Sequence, residues 1–167
     1  MIGSIIGDIV GNVYEFDNIK TKDIPCFQSQ QEYTDDSILT LATVDWLMNG
    51  GESGSYYLRY ALAYPHPMGS YGTGFVQWVH QASRGMMKPY NSCGNGSAMC
   101  VDSVGWACDT KEEVLQKAKA SAECTHNHPE GIKGAQATAL SIFMARYGDN
   151  KATIRNTSPA NLLTTSA

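Results

Sequence analysis

Apolar side chains recur along this chain at helical spacing. Between residues 1 and 16, Ile2, Ile5, Ile6, Ile9, Val10 and Val13 occupy the i, i+3, i+4, i+7, i+8 and i+11 positions of one face, which predicts an amphipathic helix. Gly3, Gly7 and Gly11 form a second face, where a neighbouring backbone can approach closely at a propensity cost of up to ~1 kcal/mol per glycine. Asp8, Asn12 and Glu15 align on a third face, and a polar row on a helix that otherwise reads as buried must be satisfied by a partner.

The next helix follows Thr34-Asp35-Asp36-Ser37, runs through Ile38, Leu41, Ala42, Trp46 and Leu47, and stops at Asn49-Gly50-Gly51. Helical stretches near Tyr56 to Ala63 and Phe75 to Ser83 are separated by turn-rich residues 64–74. Thr110 with Glu113 forms a capping box for a helix whose stripe is Val114, Leu115, Ala118 and Ala122. Pro129 and Glu130 open a further helix with Ile132, Ala135, Ala139, Ile142 and Phe143 inward, ended by Gly148. No segment shows the sustained alternation of a half-buried strand, so the pattern predicts an all-α domain of crossing helices over residues 1–150 and an irregular tail over 151–167.

Composition narrows the class. Charged residues are 17% of the 167 residues, below the roughly 25% of an average soluble chain, and the length suits one core. Twelve Lys and Arg against sixteen Asp and Glu give a net charge of −4, the wrong sign for a chain that neutralises many phosphates, which disfavours nucleic acid as the main ligand. The apolar N-terminal stretch lacks a basic leader, is broken by Asp8 and is too short to span a bilayer, so no membrane association and a cytoplasmic location are expected. Five cysteines, Cys26, Cys93, Cys100, Cys108 and Cys124, without a C-x-x-C pair, read as reduced thiols.

Three segments carry candidate chemistry, each with a plain structural alternative. Thr34, Asp35 and Asp36 are hard oxygen donors suited to Mg²⁺, or an ordinary helix cap. Ser92-Cys93-Gly94-Asn95-Gly96-Ser97 is a Gly/Asn-rich turn that can offer backbone N–H groups to a phosphate, or an ordinary loop. Thr125, His126, Asn127 and His128 precede the Pro129 helix, whose N-terminus favours anions and a neutral imidazole, or they simply cap it.

Gly7-Asp8-Ile9-Val10-Gly11 with Glu15-Phe16, Tyr33-Thr34-Asp35-Asp36-Ser37, Tyr71-Gly72-Thr73-Gly74-Phe75, Gly94-Asn95-Gly96-Ser97-Ala98-Met99 and Thr125-His126 occur together, in order. With them the chain resembles the ADP-ribosylglycohydrolase family over roughly residues 1–148. The resemblance implies an all-α, orthogonal multi-helix bundle with a two-Mg²⁺ centre. It also implies hydrolysis of the glycosidic bond joining ADP-ribose to a protein side chain or related conjugate. It makes Thr34, Asp35 and Asp36 metal ligands, with Glu15, Asp35 and Asp36 as the catalytic acidic group. Gly72, Gly74, Ser92, Gly94, Asn95, Gly96 and His126 become contacts to the substrate. Such a reaction passes through an oxocarbenium-like transition state, which bound cations and a positioned water assist.

The chain departs from the family pattern in two places. The second acidic motif, D-x-D-T, which supplies ligands to the second metal, is absent, and the fold is expected to be incomplete at its C-terminus, as in a truncated product. Cys100 stands where the family usually has arginine. The expectations are therefore a glycohydrolase with an incomplete second metal site and an exposed apolar face that favours self-association. A non-catalytic ADP-ribose-binding remnant is the first alternative, and a structural relative, as among lens crystallins that resemble this family, is the second.

Overall fold

The computed structural model describes residues 2–15 and 17–157, and among them every regular element is helical. The order is α1 (Ile2–Gly11), a 3-10 turn at Asn12–Tyr14, α2 (Asp35–Asn49), α3 (Ser53–Ala63), α4 (Thr73–Ala82) and α5 (Gly96–Met99). After these come α6 (Asp102–Ala107), α7 (Lys111–Glu123), α8 (Pro129–Arg146) and α9 (Lys151–Asn156). The only β-type pairing among the described residues is an isolated parallel bridge from Thr34 to Met68. The all-α expectation is met, and no described helix is long and apolar enough to cross a membrane.

The caps read from the sequence form as hydrogen bonds. Thr34 Oγ1 accepts from the Asp36 N–H at 3.1 Å to start α2, and Gly50, at φ 73°, ends it. Thr110 Oγ1 accepts from the Glu113 N–H at 3.1 Å, while the Glu113 carboxylate accepts from the Asp109 N–H at 3.2 Å. Pro129 sits in the first turn of α8, where its missing N–H costs nothing, and His128 Nδ1 accepts from the Glu130 N–H at 3.1 Å.

Two apolar clusters hold the helices together. Val101, Val104, Val114, Ala118, Ala139, Leu140 and Met144 join α6, α7 and α8. Ile38, Leu39, Tyr57, Phe75 and Trp78 join α2, α3 and α4, with Cys100 at the edge. Burying each large side chain in these clusters contributes about 1.5–3 kcal/mol. α6 crosses α8 so closely that a Cβ on Gly105 would lie 2.5 Å from the Ala139 carbonyl oxygen.

Three expectations need correction. α1 buries no residue fully: Ile2 is 71% and Ile6 49% exposed, because the helix packs chiefly against α2 and leaves its remaining surface open. No atom lies within 4 Å of a Cβ built on Gly3, Gly7 or Gly11, so no described segment uses the glycine face. The irregular tail predicted from 151 begins instead with α9, capped by Asn150 Oδ1 accepting from the Thr153 N–H at 3.0 Å; residues 158–167 lie outside the described residues. Helices α5 and α6 had no sequence signal, since four and six residues are too few to establish a period.

Candidate functional site

Two cavities of about 580 and 370 Å³ share a wall made by Glu15, Asp35 and Asp36. The larger is lined also by Gly72, Gly74, Ser92, Gly94, Asn95, Gly96 and His126, and the smaller by Thr34 together with Gly7, Asp8, Gly11 and Asn12. Glu15, Thr34, Asp35, Asp36 and the seven residues expected to contact substrate therefore each line one of these two spaces, whereas Cys93, Asn127 and His128 line neither. Phe16, part of the first motif, lies outside the described residues.

The acidic wall is built where α1 meets the start of α2. Asp8, on α1, accepts through Oδ1 from the Thr34 hydroxyl at 2.7 Å, and through Oδ2 from the Thr34 N–H at 2.9 Å and the Ser37 hydroxyl at 2.5 Å. These bonds span 26 and 29 residues of sequence and fix the first turn of α2 against α1. Glu15, after the 3-10 turn, brings a further carboxylate to the wall. Burial, then the Asp36 carboxylate, with smaller effects from Glu15 and Asp8, raises Asp35 from its usual 3.8 to about 7. Asp36 is raised to about 6 by burial, then by Asp8 and Glu15. Four carboxylates crowd around one helix start without a basic side chain among the cavity-lining residues.

These are hard oxygen donors, the kind Mg²⁺ prefers. Among the described residues no three acidic, histidine or cysteine side chains converge closely enough to hold an ion by themselves. The amide oxygen of Asn12, a residue 5% exposed that lines the smaller cavity, is buried without a hydrogen-bond partner.

The opposite part of the large cavity belongs to the loop before α5 and the turn before α8. Asn91 N–H donates to Asn127 Oδ1 at 2.8 Å and Tyr90 N–H to the Thr125 carbonyl at 3.3 Å, so the two loops are stitched together. Ser97 Oγ donates to the Gly131 carbonyl at 2.8 Å, tying α5 to α8. His126 is 8% exposed, its Nδ1 lies 2.8 Å from Thr125 Oγ1, and burial lowers its pKa below the usual histidine value, which favours the neutral imidazole. Of the paired alternatives for this segment, His128 is the cap, whereas His126 faces the cavity. Tyr90 packs its ring 5.9 Å from the His126 ring and covers Gly74, where a Cβ would lie 2.8 Å from Tyr90 Cε2.

Beneath the cavity lies a polar network with no motif in the sequence. Thr43 Oγ1 donates to the Leu39 carbonyl at 2.9 Å, so the 2.9 Å contact with Tyr57 must have the tyrosine hydroxyl as donor, and Ser121 Oγ at 2.8 Å in turn donates to Tyr57. Cys100 Sγ lies 3.7 Å from the same hydroxyl, and burial pushes its thiol up to about 11. The floor is thus neutral under an acidic wall. Asp8 could have been found, since it leads the polar row with Asn12 and Glu15; Tyr57, Thr43 and Ser121 could not.

The model of the family described as ADP-ribosylglycohydrolase matches residues 1–165. The chain is 27% identical over 178 residues to ADP-ribosylhydrolase ARH3 of Mus musculus, covering 89% of this chain and 48% of that protein. It is 27% identical over 180 residues to ADP-ribosylhydrolase ARH3 of Homo sapiens, covering 90% and 50%. The Xenopus tropicalis protein of the same name is 25% identical over 174 residues, covering 89% and 50%. The chain thus spans about half the length of the curated relatives it matches. With residues 1–165 matched by the family model and every regular element among the described residues helical, the chain belongs to the ADP-ribosylglycohydrolase family.

Proposed function

We propose that this chain forms the ADP-ribose-binding part of a Mg²⁺-dependent glycohydrolase site, acting on the bond between ADP-ribose and a protein side chain or a related conjugate. The observation that carries the reading is a single cavity of about 580 Å³ lined both by Glu15, Asp35 and Asp36 and by Ser92, Gly94, Asn95, Gly96 and His126. Names of similar proteins, ADP-ribosylhydrolase ARH3, agree with that chemistry.

The residues present fit a divalent cation. Burial, reinforced by neighbouring carboxylates, raises Asp35 to about 7 and Asp36 to about 6, a cost that a cation relieves, and the buried Asn12 oxygen is an unsatisfied acceptor beside them. Thr34, Asp35, Asp36 and Glu15 would hold it, and when bound it supplies Lewis-acid stabilisation of oxygen atoms and a more acidic water. The chain's own residues do the rest. Ser92 and the Gly94–Gly96 turn receive the diphosphate, the glycines allowing close backbone approach. His126, kept neutral, offers a ring nitrogen as a hydrogen-bond partner rather than a charge. A carboxylate of the Asp35/Asp36 pair, on the wall shared by the two cavities, is placed to accept a proton from an attacking water.

Calorimetric titration of ADP-ribose into the 167-residue chain, with and without Mg²⁺, tests this reading. Binding that Mg²⁺ strengthens supports it, and no binding in either condition overturns it. A second reading, ADP-ribose recognition without catalysis, is favoured by the absence, among the described residues, of three converging metal-holding side chains. Binding without Mg²⁺-dependent release of ADP-ribose from an ADP-ribosylated protein would select it. Self-association belongs to the same proposal, through the apolar groove of Ile2, Val44, Leu47, Met48 and Trp106, and sedimentation velocity tests it.

A further inference from the structure

We propose that Asp8 is a positioning residue for the cation site: its carboxylate forces the Thr34 hydroxyl to donate, so that the free lone pair of Thr34 Oγ1 is left for a divalent ion. The inference rests on the metal reading above and adds to it a residue outside the candidate ligand set.

The hydrogen-bond directions follow from the acceptor type. Both contacts run from hydroxyl to the Asp8 carboxylate, Thr34 Oγ1 donating to Oδ1 at 2.7 Å and Ser37 Oγ to Oδ2 at 2.5 Å. Thr34 Oγ1 also accepts from the Asp36 N–H at 3.1 Å, which uses one of its two lone pairs. Its proton and one lone pair are committed, and one lone pair remains. Asp8 itself lines the smaller cavity with Glu15, Asp35 and Asp36, so the polarised hydroxyl and the acidic wall belong to one space.

Capping α2 does not require a charge at position 8. Asn and Ser cap helices about as well as Asp, and Thr34 already caps α2 by itself. A fourth carboxylate beside Glu15, Asp35 and Asp36 is instead unfavourable, since it adds to the repulsion on both aspartates. The negative charge makes sense if it strengthens Thr34 as an oxygen donor and helps to balance a cation. Partners that orient a ligand in this way typically change metal affinity by 10–100-fold when altered.

Asp8→Asn separates the two roles. It keeps one acceptor for the Thr34 and Ser37 N–H groups, but turns an NH₂ toward Thr34 Oγ1, whose second lone pair is then consumed. Ser37→Ala is the matched control: it removes an Asp8 contact without touching Thr34. The readout is Mn²⁺ binding to the full chain in the absence of nucleotide, from the spectroscopic signal of the free ion, with thermal melting of each variant in chelator. Asp8→Asn should weaken Mn²⁺ by roughly tenfold or more while Ser37→Ala stays within about twofold, even if both lower the melting temperature. Wild-type affinity in Asp8→Asn, or equal weakening by Ser37→Ala, reduces Asp8 to a cap and overturns the inference alone. A wild-type chain that binds no Mn²⁺ overturns the metal reading with it. If Asp8→Asn does not melt cooperatively, Asp8→Glu decides: it keeps the charge, misplaces the carboxylate by one methylene, and should bind Mn²⁺ more weakly than wild type, unchanged affinity being the overturning result.

Discussion

A Cβ on Gly96 would stand 3.1 Å from both Cε1 and Nε2 of His126, so the glycine and the imidazole share the space at the mouth of α5. The glycine leaves room for the ring rather than for an unusual backbone, since no positive φ is needed there. Gly96→Ala should push the ring by a few tenths of an ångström. ADP-ribose binding should weaken by about 1 kcal/mol, close to fivefold, with little change in melting temperature. Calorimetry and melting on the same sample check both halves; unchanged affinity would mean that His126 does not contact the nucleotide.

Protonation of the acidic wall should be visible in stability. Asp35 and Asp36 have folded pKa values raised above the unfolded 3.8, to about 7 and about 6, so the native state binds more protons across that window. Stability contributed by these groups is then present at low pH and lost as pH rises through those folded values. Asp35→Asn removes the penalty. In chelator, its stability should match that of wild type near pH 4 and exceed it at pH 8 by on the order of 1 kcal/mol, given screening by solvent at half-buried side chains. Mg²⁺ should close the gap at pH 8 by stabilising wild type alone. A gap independent of pH would show that burial and the neighbouring carboxylates do not raise Asp35 in the folded state.

Much of the helical frame was legible because its boundaries are local. Thr34 with Asn49-Gly50, Thr110 with Glu113, and Pro129 with Gly148 each announce a helix end within a few residues, and the helices stand there. The exposure of Ile2 and Ile6 was not legible, because a helical stripe states which residues share a face and not what that face meets. α9 escaped notice although Asn150 caps it, because six residues give no repeat. The candidate site divides in the same way. Its residues sit in short motifs, whereas the bonds that assemble them, Asp8 to Thr34 and Asn91 to Asn127, join segments separated by loops with no periodic signal.

Two glycines at the site should behave in opposite ways. A Cβ on Gly131, at the start of α8, would meet the Ser92 carbonyl oxygen at 2.7 Å and the His126 carbonyl oxygen at 3.0 Å, both backbone atoms that cannot swing aside. Gly131→Ala should therefore cost about 1–3 kcal/mol in denaturant unfolding and weaken ADP-ribose binding as the two loops part. Gly72 also lines the large cavity, yet nothing lies within 4 Å of its Cβ position. Gly72→Ala should leave the unfolding midpoint within about 0.5 kcal/mol of wild type, and any loss of affinity would then report a direct clash with the ligand. Equal destabilisation by both would contradict the packing around α8.

The cysteines give a map of the site that needs no mutation. Cys26 and Cys93 are exposed, Cys100 and Cys108 are buried, and Cys124 is half-buried. Burial raises the thiols of Cys100 and Cys108 to about 11 and that of Cys124 to about 12, which keeps them protonated and poorly nucleophilic. A small aromatic disulfide reagent should accordingly titrate two thiols rapidly in the native chain, the other three reacting only after denaturation. Cys93 stands between Ser92 and Gly94, both of which line the large cavity, whereas Cys26 lies in the segment between the 3-10 turn and α2 and lines neither of the two site cavities. ADP-ribose at ten times its dissociation constant should slow the modification of Cys93 by about tenfold and leave Cys26 unchanged. Peptide mapping of the labelled chain distinguishes the two sites. Protection of Cys26, or of neither cysteine at saturating nucleotide, would place the bound diphosphate away from the Ser92 to Gly96 loop.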